Sequence, residues 1–339
     1  MAEMDRQSEQ LKYVKKNVEN SNTLGSEPCN GTAAPRVPRC STPEESSVMV
    51  TNVLNLEKLD TDLYRGNSYW IPNTQRMFGG EMMCQTLRAA ANCVPDQLSI
   101  HSLHCYFITP GDPTVPVEYH VERTRDGRSF SLRSVKAVQH GKPILMCQAS
   151  FHAHQPSPLA HQVTMPTVPP PEDLRTMEEL VNQFANDHHL PERDREALDR
   201  VVTPEVPLEV KPVNMPAFSR SVAIQPRKLL WVRAKGHIGD VDIRQHCCVA
   251  AYLSDFSLLG TAVLSYADFK PLFSASLDHA MWFHNSFRAD EWMLYEIEST
   301  WAGHTRGLVH GRLWRRDGVL AVSIAQEGLL RMVPQGSKL

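Results

Sequence analysis

The sequence of 339 residues lacks the motifs of several large protein classes. It has no HExxH pair, no P-loop, no G-x-G-x-x-G turn and no G-x-S-x-G elbow, which argues against the commonest zinc protease, NTPase, dinucleotide-binding and serine hydrolase sites. No uninterrupted apolar run approaches the roughly 18 residues of a membrane-spanning helix, and the amino-terminal segment has no apolar signal core. We therefore expect no membrane span and no secretion.

Neither the charge pattern nor the cysteine pattern points to nucleic acid or to a metal. Lys and Arg number 35, Asp and Glu number 38, and both signs are mixed along the chain, leaving a net charge of −3 and no broad basic surface. The eight cysteines form no CxxC pair and resemble small buried residues of a reducing compartment. The His188-His189 and His152-x-His154 pairs have no third ligand nearby, so we expect no metal, no cofactor and no nucleic-acid partner.

One pattern of a helix followed by strands occurs twice along the chain. The first copy, residues 48–156, has an apolar helix in FGGEMMCQTLRAAANCV and then four strand-like segments separated by Pro, Gly and Asp. The second copy, residues 206–333, has its helix in CCVAAYLSDFSLLGTAV, a strand before it and a strand series after it, with a tight hairpin at Asp317-Gly318. Two copies of one α+β fold, each an antiparallel sheet around a central helix, are the prediction.

Three further segments flank or connect these copies. Residues 1–47 are polar and are predicted to form a disordered extension. Residues 157–205 include the proline-rich MPTVPPPED and a charged stretch, which indicates a linker between domains. Residues 334–339 form a short polar tail.

Asp255 is an unexpected carboxylate within AAYLSDFSLLG. A continuous helix would place it among Ala251, Tyr252, Leu258 and Leu259. An isolated ionised carboxylate there costs several kcal/mol unless it is paired, so it calls for an explanation, and a functional role is one of two. In the alternative interpretation, Ser254-Asp255 is the N-cap of a following helix.

Several strings resemble the TesB-type acyl-coenzyme A thioesterases. They include HSLHCYF, VERTRDGRSFSLRSVKAVQHGKPI, SLDHAMWFHNSFRADEWMLYE and RGLVHGRLWRRDGVLAVSIAQEG, and the similarity covers nearly all of residues 50–333. The resemblance implies a tandem, or double, hotdog fold and acyl-CoA as the substrate. It also implies hydrolysis without a metal or a covalent serine, and it raises the expectation of a homodimer.

The resemblance also implies a catalytic set of Asp255, Ser276 and Gln326. A desolvated Asp255 would be a stronger base than an exposed aspartate, and the other two side chains could orient the attacking water. Backbone N–H groups near Gly79-Gly80 could stabilise the oxyanion.

Two other functions stay open at this point. One is a noncatalytic acyl-CoA binding module on the same fold, and the other is a hotdog enoyl-CoA hydratase. A hydratase needs an Asp and a His that work together, whereas Asp278 and His279 are adjacent on a predicted strand and should point to opposite faces.

The carboxyl-terminal tripeptide Ser337-Lys338-Leu339 matches the peroxisomal address that an import receptor reads, and we expect it to act as one. It predicts the peroxisomal matrix as the location and that receptor as a partner. Together with the resemblance, it implies a role in fatty-acid oxidation or in bile-acid side-chain processing.

Overall fold

The computed structural model of the chain describes residues 45–69, 76–185, 206–214, 223–240, 242–266 and 271–332. The predicted extension up to residue 44, the second part of the predicted linker and the tail with Ser337, Lys338 and Leu339 lie outside these residues. Residues 45–47, which the sequence assigned to the extension, pack against the fold. Ser47 is buried and its backbone N–H donates to the carbonyl of His237 over 2.9 Å.

Each half combines one long helix with antiparallel strands. The elements of the first half are β1 Glu57–Asp60, β2 Leu63–Gly66, α1 Gly79–Ala91, β3 Leu98–Phe107, β4 Val117–Asp126, β5 Phe130–Gln139 and β6 Lys142–Ala153. The connection contains α2 Met177–Ala185. The elements of the second half are β7 Leu208–Pro212, β8 Arg227–Ala234, α3 Ile243–Ser254, β9 Pro271–Ser276, β10 Asp278–Phe283, β11 Met293–Gly303, β12 Arg306–Arg315 and β13 Leu320–Met332.

The strand order is the same in both halves. It is β2-β4-β5-β6-β3 in the first half and β8-β11-β12-β13-β10 in the second, and along the chain α1 follows β2 and α3 follows β8. The strands β3 and β10 pair antiparallel and join the halves into one 13-stranded sheet. The predicted duplication of an antiparallel sheet around a helix is thus confirmed.

The two long helices pack against each other in opposite directions inside the sheet. Near the C-terminal end of α1, Arg88 forms a 3.0 Å ion pair with Asp242, the N-cap residue of α3. At the other end, an added Cβ on Gly80 of α1 would lie 2.4 Å from the carbonyl oxygen of Tyr252 in α3. Each helix N-terminus therefore lies beside the C-terminus of the other.

The helix α3 is shorter than the sequence predicted. It ends at Ser254, and a 3-10 turn at Leu259–Val263 follows. Ser257, between them, has a positive φ of 65°, which an α-helix cannot contain. Both sequence interpretations of Asp255 are therefore wrong in detail, because it is the C-cap of α3 and not a mid-helix residue or the N-cap of the next turn.

By length and composition alone, the segment Ile243–Val263 is long and apolar enough to cross a membrane. In the structure, 72% of its most apolar 18 residues are buried inside the protein, as expected of a core helix.

The segment SASLDHAMWF belongs to the strand series predicted after the helix of the second copy, and in the structure a β-bulge divides it between β9 and β10. Ser276 pairs with Gly328, whereas Ala280 pairs with Ala325, so three residues on one strand lie opposite two on β13. Such an extra residue bends the strand and redirects the side chains beside it.

The proline-rich part of the connection packs on the outer face of the second half. The indole N–H of Trp231 donates to the carbonyl of Pro169 over 2.9 Å, and Lys211 Nζ donates to the carbonyl of Pro171 over 2.8 Å. Glu172 accepts two hydrogen bonds from Arg316, at 2.8 and 2.9 Å. This part of the predicted linker is therefore a strap held on the sheet.

Candidate active site

Three side chains from separate elements meet at the C-terminal end of α3. The amide nitrogen Nε2 of Gln326, on β13, lies 2.8 Å from Oδ1 of Asp255 and 2.7 Å from Oγ of Ser276, at the end of β9. Gln326 is fully buried, and the other two are half-buried. The structure thus brings together all three residues that the resemblance implied.

Strand alternation and the bulge explain why these side chains face one another. On β13 the buried positions alternate, with Val322, Ile324 and Gln326 all pointing towards the helices. Without the bulge, Ser276 would point to the opposite face from His279, three residues further along. Because of the extra residue, Ser276 pairs with Gly328. Gly328 and Gln326 are two residues apart on β13, so the side chains of Ser276 and Gln326 lie on the same face of the sheet.

The carboxylate of Asp255 caps α1, the helix of the other half. Phe78 at the N-cap of α1 provides no side-chain acceptor, and Gly80 N–H donates to Oδ2 of Asp255 over 2.9 Å. An acceptor at this place satisfies an otherwise unpaired N–H and interacts favourably with the positive end of the helix. The sequence interpretation as the N-cap of the following helix is thus wrong, because the carboxylate instead caps the helix of the other half.

Opposing effects act on the pKa of Asp255. Desolvation raises it above its ordinary value, while hydrogen bonds from Gln326, from the Gly80 N–H and from Ser276 lower it. Desolvation is the larger effect, so the pKa is raised overall. The carboxylate is therefore a better proton acceptor than an exposed aspartate.

Glycine at residues 79 and 80 allows the close approach of α1 to Asp255. A Cβ on Gly79 would lie 2.8 Å from Oδ2 of Asp255 and 3.1 Å from the ring of Phe107. The backbone N–H of Gly79 has no hydrogen-bond partner among the described residues. It therefore offers a free donor at the positive end of α1, beside the carboxylate.

The orientation of the Gln326 amide follows from its neighbours. An ionised carboxylate only accepts hydrogen bonds, so the NH₂ group and not the carbonyl must face Asp255. The carbonyl oxygen Oε1 then points away, where it is buried without a hydrogen-bond partner.

Asp278 and His279 lie on opposite faces of the sheet, as predicted. Asp278 accepts a 3.0 Å hydrogen bond from the backbone N–H of Glu327, while His279 is buried and its Nε2 lies 2.9 Å from Oγ of Ser254. Desolvation lowers the pKa of His279 to about 3. The sequence analysis predicted neither the contact between His279 and Ser254 nor the hydrogen bond from Gly80 to Asp255. Each joins segments that are distant in the sequence.

A cavity of about 570 Å³ lies on the sheet where strands β3 to β6 of the first half meet β10 of the second. Its lining includes His104, Asp278 and His279, but not Asp255, Ser276 or Gln326. In the part of the chain that the structure describes, no group of three or more His, Cys, Asp or Glu residues is arranged to hold a metal ion.

Comparisons with known proteins cover both halves. A family model described as acyl-CoA thioesterase matches residues 204–329, and one described as acyl-CoA thioesterase N-terminal domain matches residues 67–152. Acyl-coenzyme A thioesterase 8 of Mus musculus is 60% identical over 293 residues, which are 86% of this chain and 92% of that protein.

Solved structures of an acyl-CoA thioesterase and of a hot dog fold protein also match the chain. The acyl-CoA thioesterase II TesB2 of Mycobacterium marinum matches with a TM-score of 0.67 and 38% identity over 85% of this chain and 100% of that one. A protein from Alicyclobacillus acidocaldarius, described as having a hot dog fold, matches with a TM-score of 0.65 and 18% identity over 84% of this chain and 98% of that one, which supports the fold alone. The tandem hotdog fold and the resemblance to TesB-type enzymes are thus confirmed, and the chain belongs to the acyl-CoA thioesterase family of hydrolases.

Proposed function

We propose that the chain hydrolyses acyl-CoA thioesters with a water molecule that Asp255 activates. Asp255 takes a proton from the water, and the water oxygen attacks the thioester carbonyl carbon. The C–S bond then breaks, and the coenzyme A sulfur leaves with its electron pair and takes up the proton that Asp255 had accepted, so that a free acid and coenzyme A are formed and the carboxylate is regenerated. General-base assistance of this kind contributes roughly 10² to 10⁴-fold to the rate.

One observation carries the proposal: a single amide, Nε2 of Gln326, binds both the raised-pKa carboxylate of Asp255 and the hydroxyl of Ser276. Since this amide donates to both oxygens, it fixes their separation and their directions. Ser276 Oγ accepts from the amide, and the Ser276 hydroxyl in turn contributes a hydrogen bond that lowers the pKa of Asp255. Water held between the two oxygens would be oriented for attack.

The free N–H of Gly79 is the proposed donor to the oxyanion. It lies at the positive end of α1, where negative charge is stabilised, and next to the base. Gly80 was considered for the same role in the sequence, but its N–H is already bound to Asp255.

The geometry argues against the hydratase alternative, because Asp278 and His279 point to opposite faces and cannot act on one substrate. A noncatalytic binding module is distinguished by experiment. Release of free thiol from palmitoyl-CoA should be measured for the wild type and for Asp255→Asn. We expect release by the wild type and a loss of roughly 10² to 10⁴-fold in the variant. Release that persists undiminished in Asp255→Asn would reject Asp255 as the base, and no release from any acyl chain length would favour a binding module.

We further propose a peroxisomal role. The tripeptide Ser337-Lys338-Leu339 supports import into the peroxisomal matrix through its receptor. Fatty acyl-CoA and bile-acid CoA esters are the proposed substrates. Imaging of the chain with and without the tripeptide tests the location, and a panel of straight, branched and dicarboxylic acyl-CoA esters tests the substrate class. Formation of a homodimer stays a prediction.

A further inference from the structure

Two buried polar atoms close to the proposed site have no hydrogen-bond partner. They are Nδ1 of His279 and Oε1 of Gln326. His279 is 1% exposed and Gln326 is 0% exposed, so bulk water does not satisfy either atom. Buried polar atoms are rarely left unpaired, and an internal water is the usual partner.

The β-bulge places these two side chains opposite each other. Leu277 N–H donates to the carbonyl of Glu327 over 2.9 Å, and Ala280 pairs with Ala325. Residues 278 and 279 therefore both stand opposite residue 326. Of these two, His279 shares the buried face with Gln326, and side chains directly opposite on neighbouring strands have Cβ atoms about 5 Å apart.

The hydrogen bonds of Ser254 determine which ring nitrogen of His279 carries the proton. Ser254 Oγ donates its one proton to the carbonyl of Ala251 over 2.9 Å, so it must accept from Nε2 of His279, 2.9 Å away. Burial favours the neutral ring, which has one N–H. Nδ1 is then an unprotonated acceptor, and Gln326 Oε1 is an acceptor as well. One water molecule has two protons and would satisfy both.

We propose that His279 is a positioning residue for the reaction, which acts through an internal water that donates to its Nδ1 and to Oε1 of Gln326. The water holds the amide in the orientation in which Nε2 faces Asp255 and Ser276. Nε2 of the same ring donates a hydrogen bond to Oγ of Ser254, the residue that precedes Asp255. This inference rests on the proposed roles of Asp255, Ser276 and Gln326.

The proposal predicts a change in the acid limb of the pH profile. Because the hydrogen bond from Gln326 lowers the pKa of Asp255, an amide that is free to turn would let this pKa rise. Among the described residues, the titratable groups near Asp255 include Cys105 on β3, Tyr252 on α3 and Tyr295 on β11, and burial raises the pKa of each of them, so they stay neutral in the acid range. Desolvation lowers the pKa of His279 itself to about 3, below the raised pKa of Asp255, so the acid limb reports Asp255.

The test compares four variants of the full chain in palmitoyl-CoA hydrolysis. His279→Leu and His279→Gln remove the acceptor at Nδ1, whereas His279→Asn keeps an acceptor near that position. Ile324→Val, at a buried position on the same face of β13, is the packing control. We expect kcat to fall on the order of 10- to 100-fold in His279→Leu and His279→Gln, with KM little changed and the acid limb moved to higher pH. His279→Asn should keep the acid limb of the wild type, and Ile324→Val should match the wild type in kcat.

The proposal would be overturned if His279→Gln had the same kcat and the same acid limb as the wild type. It would also be overturned if the acid limb moved by the same amount in His279→Asn and in His279→Gln. If His279→Leu does not fold, the Gln and Asn variants decide. Nitrogen NMR of the histidine ring in the wild type gives a readout independent of activity, and a proton on Nδ1 instead of Nε2 would also overturn it. The proposed function fails by a different result, which is full activity in Asp255→Asn.

Discussion

The carboxylate of Asp255, at the C-terminal end of α3, accepts a 2.9 Å hydrogen bond from the backbone N–H of Gly80, in the first turn of α1. This contact joins the two halves of the chain at the proposed base. The opposite pair of helix ends, related by the duplication, holds the Arg88–Asp242 ion pair instead. The proposed base therefore depends on both halves, because the Gly79 N–H beside it, which has no partner among the described residues, belongs to the first half. Asp255, Ser276 and Gln326 all come from the second half.

The pH dependence of the reaction should show a raised aspartate pKa. Desolvation raises the pKa of Asp255 above the ordinary 3.8, and only the ionised form accepts a proton. We expect kcat/KM to fall as the pH drops through this raised pKa. Gln326→Leu removes a hydrogen bond that lowers the pKa, so its acid limb should lie at higher pH than that of the wild type. Ionisation of the substrate is common to both enzymes and cancels in the comparison. Identical acid limbs would contradict the assignment.

An alanine at residue 79 should impair catalysis. Its Cβ would lie 2.8 Å from Oδ2 of Asp255, which forces the carboxylate or the start of α1 to move. We expect Gly79→Ala to lower kcat on the order of 10²-fold, since misplacement by about 1 Å has costs of that size. Gly260→Ala is the matched control, because its Cβ would meet only Lys228 Nζ at 3.7 Å, an ordinary contact. Steady-state kinetics that show equal kcat in the two variants would contradict the close approach.

The hydroxyl at residue 276 should matter more than the identity of the side chain. Ser276→Thr keeps the oxygen that accepts from Gln326, and Ser276→Ala removes it and leaves an amide proton without this acceptor. We expect Ser276→Thr to retain most of the activity and Ser276→Ala to lose most of it, with similar melting temperatures. Equal activity of Ser276→Ala and Ser276→Thr would contradict a role of the hydroxyl in the reaction.

The sequence predicted the fold well where the signal was local and repeated. Both long helices, the strand series and the duplication are visible as periodic apolar positions and turn residues, and the resemblance supplied Asp255, Ser276 and Gln326. The end of α3 was not predictable, because FSLLGTAV is as apolar as a helix, and the chain turns only where Tyr295 donates its hydroxyl to the carbonyl of Ser254 over 2.5 Å.

The bulge after Ser276 and the packing of the strap on Trp231 could not be predicted either, because both depend on contacts between distant segments. The bulge is defined by pairing with β13, about 50 residues away in the sequence, as the Ser276–Gln326 contact at a separation of 50 shows. A proline-rich stretch indicates a connection, but its composition does not show that a distant indole will bind one of its carbonyls. Contacts of this kind exist only once the chain is folded.

A single turnover in ¹⁸O-labelled water tests the central claim, that Asp255 activates water and does not attack the thioester itself. With enzyme in excess over palmitoyl-CoA, we predict that the acid released in the first turnover carries the label and that the peptide containing Asp255 carries none. Label in the carboxyl group of Asp255, with unlabelled acid released, would show a covalent anhydride at that residue and contradict the account.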